Sequence, residues 1–474
     1  MHMSRETKLL KNTGIIAIGQ LSSKLLSFLL LPLYTNLLLP DDFGVVDVLQ
    51  TVISLVLYFA TLQLESAVFR FIIEKRGNNK AQSEIISSAL LIVIVTNILF
   101  TLLSFGVNAF YPIPHIIPFI LSFWGLSMSA ILLSISRGRG NNTLYAIASF
   151  CITISFLLTN IVMIVLLKMG AVSILWSLTI SNMVGASVIF FVERVYKLIH
   201  ISDFSVYKSK EMLKYSLPLI PNAISWWVAN ASNRFIIALF LGSTYNGIYA
   251  AANKIPTIYL TLFNVFNLAW SESVIVSIND KDRDKYINKI LDRSYKLFSF
   301  VALGIICSIG LLFELLIGQN YYDAYYHIII LLIAIFFNSM CSMFGGVFTG
   351  FMDSKAISIS TIIGAITNII IDISLVKVCG LFSASISTLI SYIVILLLRV
   401  KMCKKHMQIR ISLGYSIQLI VVTAIVTICY LTKNKIIIAV SLAGIIVWGI
   451  FNNLEMITEF VKTFHSKVMM IYKK

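Results

Sequence analysis

The sequence predicts an all-α polytopic membrane protein of about fourteen transmembrane helices: two six-helix, pseudo-symmetric lobes with two further helices at the C-terminal end. Three observations predict it. The 474 residues are 58% hydrophobic and only 12% charged, with a mean hydropathy of +0.90, whereas a soluble domain carries about 25% charged residues. The apolar runs, each about 17 to 30 residues, suit helices crossing a hydrocarbon core roughly 30 Å thick and not barrel strands of about 10 alternating residues. Short sequence echoes then recur at a near-constant offset. Gly44 and Gly247, Glu65-Ser66 and Glu272-Ser273, and Thr159-Asn160-Ile161 and Thr367-Asn368-Ile369 stand 203 to 208 residues apart. An even number of helices per repeat keeps both halves in one orientation, so the symmetry axis runs along the membrane normal.

The net charge of +16 follows topology. When the connections are assigned alternately to the two sides, the inner loops and both termini hold 30 of the 37 Lys and Arg residues. The outer connections hold four, Lys168, Lys377, Lys433 and Lys435, and three lie within spans, Lys24, Arg234 and Lys254. The positive-inside rule therefore places both termini in the cytoplasm. No basic stripe interleaved with aromatics lies outside the membrane, which excludes a nucleic-acid partner.

Span one covers about residues 12–38 and reads as a retained helix, not a cleaved signal peptide. Spans two to six fall near 42–72, 83–110, 114–136, 143–167 and 172–193. The polar stretch 196–214 is a natural linker, separating an N-terminal lobe of 1–195 from a C-terminal lobe of 215–400. Spans seven to twelve follow near 215–241, 246–277, 294–318, 326–351, 356–376 and 381–398. The segment 401–474 supplies spans near 413–431 and 436–454 and a basic cytoplasmic tail.

Polar stripes distinguish four of these helices. In span two Asp47, Thr51, Ser54, Tyr58, Thr61 and Glu65 recur at spacings of three and four, which aligns them on one helical face. A carboxylate at bilayer depth costs on the order of 2.5 to 3.5 kcal/mol, so this face implies a wet or protein-lined path, and hence a carrier. Span one shares a face among Thr13, Gln20, Lys24, Ser27 and Tyr34. Span seven carries Pro218, Pro221, Asn222, Trp226, Asn230, Asn233 and Arg234. Span eight carries Lys254, Thr257, Thr261, Asn264, Ser271 and Glu272. Asp47, Glu65 and Glu272 suit either ion coupling or counter-charge to the intramembrane cations. Asp372 and Glu314 fall near outer helix ends and read as interfacial.

The six histidines show no ligand spacing and the six cysteines no paired motif, so neither a metal nor a cofactor is expected. Gly138-Arg139-Gly140 has no strand before it and is no phosphate loop, and Gly346-Val347-Phe348-Thr349-Gly350 reads as a helix-packing contact.

The pairing of Asn12-Thr13-Gly14 with Leu31-Pro32-Leu33-Tyr34, followed by Asp42-Phe43-Gly44-Val45-Val46-Asp47 and Gly247-Ile248-Tyr249-Ala250-Ala251-Ala252-Asn253-Lys254, resembles bacterial polysaccharide biosynthesis proteins of the oligosaccharidyl-lipid flippase type. Their superfamily also holds the multidrug and toxin extrusion (MATE) transporters and the lipid II flippases. The resemblance implies two six-helix lobes around a central cavity open to each side in turn. It also implies transfer of an undecaprenyl-diphosphate-linked oligosaccharide, such as an O-antigen, lipopolysaccharide or capsule unit, across the bacterial inner membrane. A diphosphate-sugar head cannot cross hydrocarbon unaided, and Lys24, Arg234 and Lys254 are the cations available to it, with Asn230 and Asn233 beside them. Lys24 suits phosphate contact, pairing with Asp47 or Glu65, or snorkelling. A proton or sodium gradient, a polysaccharide polymerase partner and a monomeric state are the associated expectations. A cation-coupled multidrug exporter and a membrane polymerase are the rival readings. Short outer loops disfavour the polymerase, and the three cations disfavour the exporter.

Overall fold

The computed structural model describes residues 28–410, 412–456 and 458–459, without the side chains of residues 222, 225, 226, 229 and 230. Its elements are helices, in chain order α1 (Phe28–Leu37), α2 (Pro40–Ala60), α3 (Leu64–Glu74), α4 (Asn79–Phe110), α5 (Ile116–Arg139), α6 (Asn142–Ile161), α7 (Ser173–Val192), α8 (Val206–Ser216), α9 (Ile220–Phe240), α10 (Ser243–Ser277), α11 (Arg283–Leu316), α12 (Ala324–Gly350), α13 (Ser354–Cys379), α14 (Phe382–Cys403), α15 (Leu413–Leu431) and α16 (Lys435–Asn452). Among the described residues eleven helices are long and apolar enough to cross a membrane. The polar-striped α9 and α10 are not in that set, and within α9 the stretch Ala231–Phe240 is a shorter apolar helix. Leu102, Leu103, Ile420, Ile428, Val440 and Val447 are exposed on the helix surfaces, as a hydrocarbon solvent allows and water would not. The chain is a multi-pass membrane protein.

Side-chain caps fix where the helices start. Asn78 accepts from the Ala81 amide, Asn141 from Leu144, Asp353 from Ala356 and Asn434 from Ile436 and Ile437. Each satisfies amides that a helix start leaves without a partner.

The chain divides into two compact units, residues 1–250 and 251–474. In the first, α3, α4, α5, α7 and α8 surround a core that includes Leu64, Val68, Ile85, Ile131, Ile189 and Met212. Polar bonds pin helices together inside this apolar setting, Asn97 donating to Ser127 at 2.7 Å and Ser129 to Asn182 at 2.7 Å. The expected linker is structured. Its first part is tied to α4, with Ser83 donating to the Leu198 carbonyl and the amides of His200 and Ser205 donating to Ser87 and Ser88. Its second part is α8.

The second unit is built on α12, α13 and α14, with α11 packed on α15 and α16. Between α13 and α14 runs a ladder of polar rungs at four-residue intervals. Ser383 donates to Asp372 at 2.6 Å, Asn368 to Ser387 at 3.4 Å, Ser391 to the Gly364 carbonyl at 2.7 Å, and Arg399 Nε to Ser360 at 3.0 Å. Asp372, placed near a helix end, is buried between α13 and α14.

Two spans differ from the sequence expectation. Span two is not one helix over 42–72; it breaks between α2 and α3. Span seven does not start at 215 as an α-helix. A 3-10 turn, Leu217–Leu219, precedes α9 and places Pro218 and Pro221 in first turns, where proline's missing N–H removes no helical bond.

Candidate functional site

The polar face of α2 meets α9 and the start of α10 inside the first unit. Asp47 stands two turns into α2 and is buried. Arg234, in the later half of α9, brings Nε to 3.1 Å from Asp47 Oδ2 and donates from Nη1 to the Thr51 hydroxyl at 3.2 Å. Asn246, on the first turn of α10, donates to the same Asp47 oxygen at 3.3 Å and to the Gly44 carbonyl at 3.0 Å. Two donors on one buried carboxylate offset the cost of taking its charge out of water. One turn along, the Trp227 indole donates to Ser54 at 2.9 Å and to the Thr51 carbonyl at 3.3 Å. Trp227 and Arg234 are seven residues apart, two helical turns, so α9 presents both to α2.

Backbone approach makes this arrangement possible. A Cβ on Gly44 would collide with the Ser243 carbonyl, and one on Gly247 with the Pro40 carbonyl. The two glycines let α2 and α10 cross main chain to main chain, and Asp41 accepts from the Ser243 and Thr244 hydroxyls beside the crossing.

Arg234 keeps 31% of its side chain exposed while Asp47 keeps 7%. A guanidinium has five N–H donors. Nε and one Nη1 proton serve Asp47 and Thr51, which among the described residues leaves Nη2 for a further acceptor. The group can hold its own carboxylate and an incoming oxyanion at once.

The other expected residues lie as follows. Lys24 falls outside the described residues, as does the side chain of Asn230. Asn233 is buried and donates to the Tyr249 hydroxyl at 3.1 Å. Lys254 and Glu272 stand half-buried on α10 in the second unit. Glu65 stands on the first turn of α3, where the helix break takes it out of the regular stripe that ends at Tyr58. Trp227 and Asn246 were not foreseen. Asn246 adjoins the glycine of the second repeat, and that adjacency was the available signal. Among the described residues no group of His, Cys, Asp or Glu could hold a metal ion.

Solved structures share the fold. The lipid II flippase MurJ in an inward closed conformation aligns with a TM-score of 0.71 over 94% of this chain and 99% of that one, at 16% identity. An inward-facing multidrug resistance MATE family transporter of the MOP superfamily aligns at 0.68 over 82% and 98%, at 15% identity. A mutant of the Vibrio cholerae MATE transporter VcmN aligns at 0.55 over 84% and 96%, at 14% identity. No curated protein matches the chain in sequence. Residues 9–271, more than half of its length, match the family model of polysaccharide biosynthesis proteins. The chain belongs to the polysaccharide biosynthesis protein family.

Proposed function

We propose that this protein is a flippase that carries an undecaprenyl-diphosphate-linked oligosaccharide, an O-antigen, capsule or related unit, from the cytoplasmic to the outer leaflet of the bacterial inner membrane by alternating access. Arg234 carries the reading: a guanidinium inside a membrane fold, neutralised by Asp47 and, among the described residues, still holding a donor edge without an acceptor. A diphosphate needs a positive, donor-rich surface, and the fixed fork of an arginine suits its oxygens. Asp47 is the counter-charge that makes the cation tolerable when the site is empty. Lys24 and Lys254 are the further cations of the path, and the amides of Asn230 and Asn233 are donors and acceptors for sugar hydroxyls. Family membership supports a polysaccharide precursor as cargo. One protein of similar fold is a lipid II flippase, a carrier of the same class.

The protein performs no bond chemistry in this reading. It works as a monomer on a proton or sodium gradient and delivers to a polymerase, with both termini in the cytoplasm. The test is a strain lacking the protein, in which lectin access to the lipid-linked oligosaccharide is measured in inside-out and right-side-out vesicles. The intermediate should accumulate facing the cytoplasm, and Arg234→Ala should fail to relieve it, losing about 1.5 to 3 kcal/mol of charge-assisted contact or ten- to hundredfold in binding. Normal lectin access with altered drug resistance would replace this reading with a multidrug exporter.

A further inference from the structure

Of the lysines and arginines among the described residues, Arg399 alone is buried, with 5% of its surface exposed. It stands one turn before the end of α14. Its Nε donates to the Ser360 hydroxyl at 3.0 Å and its Nη2 to the Thr361 hydroxyl at 3.0 Å, both on α13, and its Nη1 donates to the Cys341 carbonyl of α12 at 2.5 Å. All three acceptors are neutral. The acids of the neighbouring segments are engaged elsewhere, Asp353 with His406, Asp372 with Ser383 and Asp284 with Arg283. Of the chain's 21 acidic residues only Glu6 lies outside the described ones. A guanidinium buried without a counter-charge is strongly destabilising, and neutral acceptors offset only part of that cost.

The guanidinium is also open on one side. A Cβ on Gly345 of α12 would meet Arg399 Nη1 at 3.2 Å and, among the described residues, no other atom within 4 Å, so free space begins at this glycine with the cation at its edge. Gly346, the next residue, is instead closed in by Trp270 and Ser271 of α10. Asn338, Ser342, Gly345 and Thr349 follow one another at spacings of four, three and four on one face of α12, and all are partly or fully exposed. A row of amide, hydroxyl and glycine suits a polar ligand better than hydrocarbon. Two N–H protons of Arg399, one on each Nη, remain for that ligand. Toward the same helix ends the surface is basic: Lys355 on the first turn of α13 is exposed, as are Lys401, Lys404 and Lys405 at and just past the end of α14. Farther along α13, Ile359, Ile362, Ile366 and Ile370 make an exposed apolar face.

We propose that Arg399 and the open face of α12 at Gly345 form a phosphate-binding site of the kind that takes the headgroup of an anionic phospholipid. The phosphate oxygens accept from the two spare Nη protons. The Ser342 hydroxyl, which donates to the Asn338 carbonyl at 3.1 Å, can turn to add a third donor. The depth fits. Arg399 is four residues from the end of α14 and Gly345 five from the end of α12, which at 1.5 Å per residue is about 6 to 8 Å inside the helix ends, roughly the thickness of one headgroup layer. The exposed lysines raise the local concentration of anions, and the isoleucine face of α13 gives acyl chains a surface. Because Arg399 already bonds α12 and α13, an anion on it braces three helices of the second unit at once. A free phosphate offers the same oxygens. The site stands whether or not the protein is a flippase.

The test uses full-length protein carrying Ser342→Cys, reconstituted in vesicles and labelled with a small neutral thiol reagent, the extent at position 342 being read by peptide mass spectrometry. In phosphatidylcholine vesicles the cysteine should react. Adding phosphatidylglycerol to the vesicles should slow it about fivefold, as expected for a site four-fifths occupied. Inorganic phosphate at fixed ionic strength, given to phosphatidylcholine vesicles, tests the free source: protection there identifies a soluble phosphate as a ligand, and protection by phosphatidylglycerol alone identifies the headgroup. Arg399→Gln should abolish either protection. Gly345→Ala places a methyl group over Nη1 while keeping the guanidinium and its three bonds, so it should abolish protection in a protein that folds normally. No reaction at position 342, equal reaction under all conditions, or protection that survives Gly345→Ala overturns the site. So does protection that appears only after Glu6→Gln, which would make Glu6 the missing counter-charge. Transport is not read here, so protection in a protein that fails the lectin test would sink the flippase reading and leave the phosphate site standing.

Discussion

Gly44 and Gly247 cross so closely that neither α-carbon has room for a methyl group: a Cβ on Gly44 would stand 2.8 Å from the Gly247 nitrogen, and one on Gly247 would stand 3.1 Å from the Gly44 nitrogen. The nearest obstacles are backbone carbonyls, which cannot rotate away as a flexible side chain can. Gly44→Ala should therefore force α2 and α10 apart. Cysteines introduced at Asp41 and Thr244 should cross-link readily in the parent and several-fold less in the Gly44→Ala background. Equal cross-linking in both would show that the crossing tolerates the extra atom.

At the turn between α12 and α13, Asp353 bonds His406 Nε2 at 2.9 Å and caps the Ala356 amide at 3.1 Å. The His406 bond, then the amide, hold the Asp353 carboxyl below its usual range. A carboxyl whose pKa is lower folded than unfolded adds stability above its unfolded value, about 4, and that contribution is lost as pH falls through the folded value. The melting temperature of the wild type should therefore drop more steeply below pH 4 than that of Asp353→Asn, with the two curves parallel at neutral pH. Parallel curves throughout would discount the His406 contact.

Eleven apolar spans and the Asp47-to-Tyr58 part of the α2 stripe were legible because both are properties of composition and spacing. The Asp47 partner was legible only as a class. Burying a carboxylate demands a cation, but the choice between Lys24 and Arg234 depends on how α9 packs on α2, which spacing does not encode. The break at residues 61–63 had no signal at all, since Thr61-Leu62-Gln63 contains none of the residues that usually interrupt helices. Gly44 and Gly247 were visible as repeat markers, whereas their role as a backbone crossing needed coordinates.

The α13–α14 ladder gives a sharper case. Asp372 is fully buried, its Oδ1 accepts from Ser383, and its Oδ2 has no partner among the described residues. Ser383→Ala removes that donor and should cost about 1 to 3 kcal/mol. Adding Asp372→Leu removes the stranded carboxyl, and the double mutant should regain most of that loss. Thermal unfolding in detergent for the two single mutants and the double mutant measures the coupling. Simple additivity would mean that the rung contributes nothing as a pair.

Arg234 and Asp47 separate a structural ion pair from a substrate contact. Arg234→Ala leaves Asp47 buried with only Asn246 as donor, and breaking such a pair costs about 3 to 5 kcal/mol, so membrane abundance should fall. Arg234→Ala combined with Asp47→Asn removes both charges, and abundance should return. On the proposed reading transport should not return with it, because the donor edge proposed to meet the diphosphate is still missing. Arg234→Lys keeps a charge for Asp47 but lacks the fork that serves carboxylate and phosphate together. It should leave abundance near normal and lower transport about tenfold, the equivalent of about 1.4 kcal/mol. Quantitative blotting of membranes and vesicle lectin access, measured on the same preparations, read the two quantities separately. Wild-type transport by the double mutant would make Arg234 a partner of Asp47 and nothing more.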